Sequence, residues 1–196
     1  MTVRRDPVRP GQTSVWDFPR PAIAVPSAQH VRIEHRGQAI ADTHASVKTL
    51  ETCHPPNYYI PPDAIAMGLF RRSTHTSFCE WKGDAVYYDL LIDGETLRGI
   101  AWSYPAPTRA FAALRDHLAF YAAPFDACFV DDERVVPQPG GFYGGGSPAI
   151  LPGRSRACPA VAIGRRRQSR PAARRTARPA PAQSTSSPSS AIAVRR

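Results

Sequence analysis

Residues 78–83 read FCEWKG, and the interpretation of the rest of the chain depends on this stretch. Trp81 has charged residues on both sides, and a second tryptophan, Trp102, is followed closely by Tyr104. Indole rings and ionisable groups that share one small region are more typical of a ligand site than of a plain hydrophobic core. The stretch therefore predicts a binding site around the two tryptophans.

The formal net charge of +9 is confined to the end of the chain. Residues 1–145 carry 14 Lys and Arg against 16 Asp and Glu, whereas residues 146–196 carry 11 Arg and no acidic residue. A nearly neutral body does not have the basic surface that is typical of nucleic-acid-binding domains. We therefore expect no specific nucleic-acid partner, and only weak, salt-dependent binding of polyanions by the tail.

The cysteines indicate neither a disulfide framework nor a zinc site. Cys53, Cys79, Cys128 and Cys158 are far apart and form no C-x-x-C pair. We expect reduced thiols that pack as small hydrophobic side chains, with no metal and no cofactor. No apolar run approaches the roughly 20 residues that a membrane-spanning helix needs. The expectation is a cytoplasmic protein without membrane contact, of unspecified oligomeric state.

Short alternating runs separated by turn residues predict small antiparallel sheets. Asp93-Gly94, between two such runs, is the strongest hairpin signal in the chain, and Arg36-Gly37 is a second one. Residues 67–70 and 76–81 also have the pattern of strands. Four prolines within residues 52–62 exclude a helix there and favour an extended segment. The fold class that follows is mainly β.

One helix is predicted at about residues 108–121, which makes the class α+β with a single helix. Its apolar positions are spaced by three and four, and Thr108 is a suitable N-cap. We expect the apolar stripe of this helix to cover a sheet. The predicted organisation is a flexible leader at 1–13, a single β-rich domain at 14–145 with an N-terminal arm at 14–30, and a disordered basic tail at 146–196.

Several segments closely resemble a bacterial family described as domain of unknown function 427. They include SVWDFPRP at 14–21, LETCHPP at 50–56 and FCEWKG at 78–83, and the resemblance extends over about residues 14–145. It implies a β-tent-like fold, in which two small antiparallel sheets meet over a pocket. The zinc motif of distant relatives with this fold is missing from the chain.

Some members of that family are named as nucleotidyltransferases. The glycine-serine helix start and the paired Asp residues on a strand, which would hold the metal for that chemistry, are not present in this chain. Asp131, Asp132 and Glu133 lie instead at a predicted hairpin tip, where they are typical turn residues. The sequence therefore gives little support to nucleotidyl transfer, or to nucleic-acid binding beyond the basic tail.

The tail resembles the product of a shifted reading frame. GC-rich codons for residues 146–164, read from one base upstream, can encode a Gly-Pro-Phe-Lys-Gly run, which the family usually carries after its final Gly-Gly. We therefore interpret residues 146–196 as a disordered frameshift product without a selected function. Sequencing the locus tests this interpretation, which predicts a frame change near codon 146. A verified frame through residue 196, with translated peptides from the tail, would contradict it.

Glu80 and His54 are the candidate catalytic residues, as acid or base. If residues 80–82 continue a strand, Glu80 and Lys82 share one face and Trp81 lies on the other. A buried Glu80 could act as a general base, whereas an exposed Glu80–Lys82 ion pair would contribute only about 0–1 kcal/mol. His54, beside two prolines, could present its imidazole from a rigid loop or simply bond to the backbone.

Aromatic and cationic residues make up the predicted ligand-binding site. They could line a cage for a flat or cationic small molecule, or they could simply fill the core of a small β domain. The candidates are Trp81, Lys82, Trp102, Tyr104, Tyr58, Tyr59 and Arg20. The leading hypothesis is a domain that binds an unidentified small molecule. The alternative is a metal-independent enzyme that acts on a small metabolite.

Overall fold

A computed structural model describes residues 13–137 and 146–148, and strands dominate these residues. The mainly β class predicted above is confirmed. Residues 1–12 of the predicted leader and residues 149–196 of the predicted tail lie outside the described residues. The strands are β1 (Ile23–Ser27), β2 (Val31–His35), β3 (Gln38–Thr43), β4 (Ser46–Glu51), β5 (His54–Tyr59), β6 (Phe70–Cys79), β7 (Gly83–Ile92), β8 (Glu95–Ser103), β9 (Leu118–Phe120), β10 (Ala127–Val130), β11 (Glu133–Pro137) and β12 (Gly146–Pro148).

The described strands form three sheets in which all pairs are antiparallel. The first sheet has the order β1-β4-β5, the second β12-β11-β10-β2-β3, and the third β6-β7-β8-β9. Part of the predicted N-terminal arm is therefore strand β1, and the first three residues of the predicted tail are strand β12. No helix in the described residues is long and apolar enough to cross a membrane.

Both glycine turns that the sequence predicts connect hairpins. Arg36 and Gly37 join β2 to β3 with φ values of 49° and 70°, and Asp93 and Gly94 join β7 to β8 with φ values of 46° and 78°. Positive φ at both central residues matches the right-handed twist of the flanking strands, and glycine adopts it without steric cost. These short-range signals therefore predict the pairing correctly.

The predicted helix over residues 108–121 is wrong in length and in type. The structure has a 3₁₀ helix at Arg109–Leu114, and Leu118–Phe120 is strand β9. The Thr108 hydroxyl does not cap the helix, because it donates to the Trp81 carbonyl oxygen at 2.6 Å. Pairing of β9 with β8 supplies ladder hydrogen bonds that outweigh the helical spacing of the apolar residues. The buried residues Phe111 and Leu114 of the short helix still pack on the sheet.

Strand β6 also differs from the prediction at both of its ends. Residues Met67–Leu69 form a 3₁₀ turn, and the strand runs from Phe70 to Cys79. Glu80, Trp81 and Lys82 then form the turn that leads into β7. The prediction that these three residues alternate across a strand is therefore wrong.

The third sheet is covered on both faces, and each face contributes to a different hydrophobic cluster. We call first cluster the group that includes Leu90, Ile100 and Phe120, together with side chains from β2, β3 and β10. We call second cluster the group that includes Trp102, Tyr104, Tyr59, Phe111 and Leu114, together with residues from β1, β4 and β7. Because side chains alternate across a strand, one sheet supplies both clusters.

Truncation of the first cluster should destabilise the whole domain. Leu90 is fully enclosed, at 0% exposure, so Leu90→Ala leaves a cavity that should lower the free energy of unfolding by about 2–5 kcal/mol. Leu91, the next residue on β7, is 41% exposed, and Leu91→Ala should change stability by less than about 0.5 kcal/mol. Urea denaturation, monitored by circular dichroism, measures the free energy of unfolding of both variants. Equal losses of stability in the two variants would contradict the placement of Leu90 on a buried face of the sheet and Leu91 at an exposed position.

Candidate functional site

Four of the predicted binding residues meet in the second cluster. Trp102, Tyr104 and Tyr59 are buried there, and half-buried Trp81 packs against them. The ring centroids of Tyr59 and Trp102 are 6.3 Å apart in an edge-to-face arrangement, and those of Tyr59 and Tyr104 are 6.2 Å apart. Such aromatic pairs stabilise a core beyond the area that they bury. The inner part of the cluster is therefore packed core.

Lys82 reaches the Phe111 ring of this cluster, whereas Tyr58, Arg20 and Glu80 are not brought to it. Tyr58 precedes Tyr59 on β5 and so points to the other side, where its hydroxyl donates to the Gln29 side-chain oxygen at 2.8 Å. Burial, and secondarily the charge of Asp131, raises the pKa of Tyr58 to about 12. Arg20 is exposed in the N-terminal arm, and Glu80 is exposed in the β6–β7 turn.

His54 lies at the start of β5, next to the place where the N-terminal arm docks. Its Nδ1 is 3.1 Å from the Thr52 carbonyl oxygen and 3.9 Å from a carboxylate oxygen of Glu51. The arm is tied to the same turn, since the Cys53 amide donates to the Val15 carbonyl oxygen at 2.9 Å. The turn that holds His54 is thus a different one from the turn that carries Glu80.

The turn from Glu80 to Lys82 is held against the loop that precedes the short helix. The Thr108 amide donates to the Lys82 carbonyl oxygen at 3.2 Å, in addition to the Thr108 hydroxyl bond to Trp81. Gly83 has φ +97°, and a β-carbon there would lie 3.4 Å from the Ala106 carbonyl oxygen. The positive φ, which residues with a side chain rarely adopt, explains why glycine ends the FCEWKG stretch. The turn encloses the Lys82 side chain, whose Nζ lies 5.4 Å from the centroid of the Phe111 ring.

A chain of hydroxyl groups lines the half-exposed edge of the second cluster. The Ser77 and Tyr87 hydroxyl oxygens are 2.9 Å apart, and the Tyr87 phenol lies near enough to Tyr121 to contribute to the raised pKa of Tyr121. The Tyr121 ring lies 4.8 Å from the Trp102 ring, centroid to centroid, and the His75 ring lies 4.4 Å from that of Tyr87. We call Ser77, Tyr87 and Tyr121 the tyrosine patch. It joins a polar surface to the aromatic core beneath it.

The phenols of Tyr59, Tyr104 and Tyr121 stay protonated at neutral pH. Burial raises the pKa of Tyr104, Tyr59 and Tyr121 above that of a free tyrosine. Secondary contributions come from Tyr87 for Tyr121, and from Tyr59 and the Cys79 thiol for Tyr104. The site is therefore built mainly from neutral hydrogen-bonding groups on aromatic rings.

The patch was not predicted because it depends on register across strands. Tyr87 is opposite Trp102, and Trp102 is opposite Ala119, so these residues share one face of the third sheet. Alternation along β6 alone would place Ser77 and Cys79 on a common face, which is a usable but weak signal. Tyr121 was assigned to the predicted helix, and so its position beside β8 could not be seen in the sequence.

The described residues also form an apolar cleft on the side of the first cluster. It is small, with a volume of about 50 Å³, and its lining residues come mainly from β2, β5, β9 and β10. Its walls include Ile33, Ile60 and Phe120, and Tyr58 is the one predicted binding residue that lines it. We place the candidate site at the tyrosine patch instead, because convergent polar groups and indole rings occur there.

The cysteines differ from the prediction at one position. Cys79 and Cys128 are free, as expected, but Cys53 is disulfide-bonded, so the prediction of a reduced thiol is wrong there. Burial raises the pKa of Cys128 to about 12, which keeps that thiol protonated and unreactive. Among the described residues, no group of three or more His, Cys, Asp or Glu side chains could hold a metal ion.

A family model for the domain of unknown function DUF427 matches residues 23–131. The chain belongs to the DUF427 family. The matched range includes every strand from β1 to β10 and all three residues of the tyrosine patch. No curated protein matches the chain. The DUF427 assignment therefore confirms the resemblance seen in the sequence.

Alkaline pH should destabilise this DUF427 domain from pH 10 upward. The folded-state pKa values of Tyr58, Tyr59, Tyr104 and Tyr121 are raised above the ordinary value of 10.0, so these phenols ionise more readily in the unfolded chain. Their stabilising contribution is present below pH 10. It should fall by up to about 1.4 kcal/mol per pH unit for each such phenol, until the pH passes its folded-state pKa.

Urea denaturation at pH 9, 10 and 11, together with phenolate absorbance of the folded protein, measures this effect. We expect these four tyrosines to leave stability nearly constant between pH 9 and 10, and we expect a steep loss at pH 11, with the phenolate of these four residues appearing mainly on unfolding. Complete tyrosine ionisation near pH 10 in a protein that retains its circular dichroism spectrum would show that these phenols are not buried.

Proposed function

We propose that this DUF427 domain binds a small planar molecule at the tyrosine patch. The observation that carries the proposal is the hydroxyl chain of Ser77, Tyr87 and Tyr121, which is half-exposed and backed by the Trp102 ring. A polar chain within a packed cluster must satisfy its own hydrogen bonds, and its outer side then remains available to a ligand. The half-buried rings beside it offer flat surfaces for stacking.

The hydroxyl chain favours a ligand that donates hydrogen bonds. Each hydroxyl has one donor and about two acceptor lone pairs. The bond between Ser77 and Tyr87 uses one of the three donors and one acceptor lone pair, so the three hydroxyl groups retain more free acceptors than donors. A planar ring with amino or amide N–H groups is complementary to that surplus. Each such hydrogen bond contributes about 0.5–1.5 kcal/mol to binding.

The aromatic groups of the patch fit the same class of ligand. Tyr87 and Tyr121 are half-buried, so part of each ring is accessible from outside, while Trp102 behind them is 8% exposed. Stacking and edge-to-face contacts contribute about 0.5–1.5 kcal/mol each beyond the area that they bury. A few such contacts together give the affinity that is typical of a small metabolite rather than of a macromolecular partner.

Removal of the patch hydroxyls should abolish ligand retention without unfolding the domain. The test is extraction of small molecules from natively purified protein, identified by mass spectrometry, for the wild type and for the double variant Tyr87→Phe/Tyr121→Phe. Tyr88→Phe is the matched control, because Tyr88 neighbours Tyr87 on β7 but packs against the first cluster. We expect one planar compound, near one equivalent, from the wild type and Tyr88→Phe, and at least about tenfold less from the double variant.

Two results would contradict the proposal. One is equal retention of the same compound by the double variant, when circular dichroism shows that it is folded. The other is the lack of any retained compound in the wild type together with no change in tryptophan fluorescence across a library of planar metabolites. Each of them would remove the tyrosine patch as a binding site.

A further inference from the structure

Lys82 is a buried cation. Its residue exposure is 6%, and it lies in the β6–β7 turn, which the two bonds from Thr108 hold in place. The side-chain stem is enclosed, whereas Nζ is not among the fully buried unpartnered nitrogens of the described residues, so the ammonium retains a contact with solvent. A lysine is rarely buried to this degree unless its charge is paired.

The ammonium has no protein partner among the described residues. No hydrogen bond or ion pair joins Lys82 Nζ to any of them, and its one described interaction is with the Phe111 ring at 5.4 Å. Glu80 and Asp84 are two residues away on either side, and both are exposed without an ion pair to Lys82. Outside the described residues, Asp6 is the one acidic side chain in the sequence. The fold therefore supplies no carboxylate to Lys82 in the described part of the chain.

The ring contact satisfies only part of what the ammonium requires. A cation–π contact attracts the ammonium, but it does not provide a hydrogen-bond acceptor for any of the three N–H groups. A charge that is largely removed from water is unfavourable unless an anion or water reaches it. The solvent contact of Nζ provides the route by which an anion could reach it.

We propose that Lys82 binds the anionic group of a small molecule, a carboxylate or a phosphate. The enclosed stem and the Phe111 ring fix the position of the ammonium, and the ligand oxygen atoms accept its hydrogen bonds. This inference is independent of the tyrosine patch, since it rests on the burial and the missing partner of one side chain. The same ligand would reach both places only if it carries an anionic group as well as a planar ring.

The experiment uses the full chain and three simple probes: inorganic phosphate, acetate and the neutral acetamide. Thermal unfolding is recorded at constant ionic strength for the wild type, for Lys82→Met and for Lys48→Met. Met keeps the length and the apolar stem of lysine without its charge. Lys48 is the matched control, because its Nζ already donates to the Gln29 side-chain oxygen at 3.1 Å. The arginine-rich residues 146–196 are present in all three proteins, so the difference between them isolates Lys82.

We expect phosphate or acetate, but not acetamide, to raise the unfolding temperature of the wild type and of Lys48→Met. The anion concentration needed for half of that effect should be at least about tenfold higher in Lys82→Met. Phosphate alone being effective would point to a phosphorylated ligand, and acetate alone would point to a carboxylate. If Lys82→Met does not fold, Lys82→Arg should fold and retain the anion effect.

The inference is overturned if the anions stabilise wild type and Lys82→Met equally. It is also overturned if neither anion stabilises the wild type more than acetamide does, which would mean that water alone solvates the ammonium. If Lys82→Met loses the anion effect but retains the planar compound, and Tyr87→Phe/Tyr121→Phe loses the compound, then the anion and the planar compound bind at two separate sites.

Discussion

The antiparallel register of β7, β8 and β9 is the constraint on which the rest of the structure depends. It aligns Tyr87 with Trp102 on one face of the third sheet, and Tyr88 with Ala101 and Phe120 in the next row. Since side chains alternate, a slip of one residue would exchange the two faces. The apolar first cluster and the second cluster with its hydroxyl-lined edge are therefore consequences of one set of backbone hydrogen bonds.

The two faces have different chemical character because the second cluster encloses the side chains of Tyr59 and Tyr104. The first cluster is almost wholly aliphatic and aromatic, which gives stability but little specificity. In the second cluster, burial raises the pKa of Tyr59 and Tyr104, with a secondary contribution from the Cys79 thiol, and the tyrosine patch adds hydroxyl groups at the half-exposed edge. Protonated phenols provide directional hydrogen bonds without a net charge, which suits recognition of an uncharged planar ring. Lys82, in the β6–β7 turn, differs from these neutral groups because it brings a charged ammonium to the Phe111 ring of the second cluster.

The sequence predicted the parts of the molecule that local chemistry determines. Asp93-Gly94 sets its own turn, and the grouping of tryptophans with polar neighbours around FCEWKG predicted that Trp81, Trp102 and Tyr104 share one region. The stretch at 108–121 was misassigned because a three-four apolar spacing also arises when a 3₁₀ turn is followed by an edge strand. Tyr121 and the hydroxyl chain were missed for a related reason, since contacts between strands depend on tertiary register and leave no local signal.

Hydroxyl-radical footprinting read by mass spectrometry tests most directly the claim that the second cluster is open on one side, because it reports the accessibility of individual side chains. The account predicts strong oxidation of Tyr87, Tyr121 and Trp81, which are partly exposed, and protection of Tyr59 and Tyr104, which are 1% and 6% exposed. Protection of Tyr87 and Tyr121 to the same extent as Tyr59 would contradict it, because the hydroxyl chain would then be sealed within the protein.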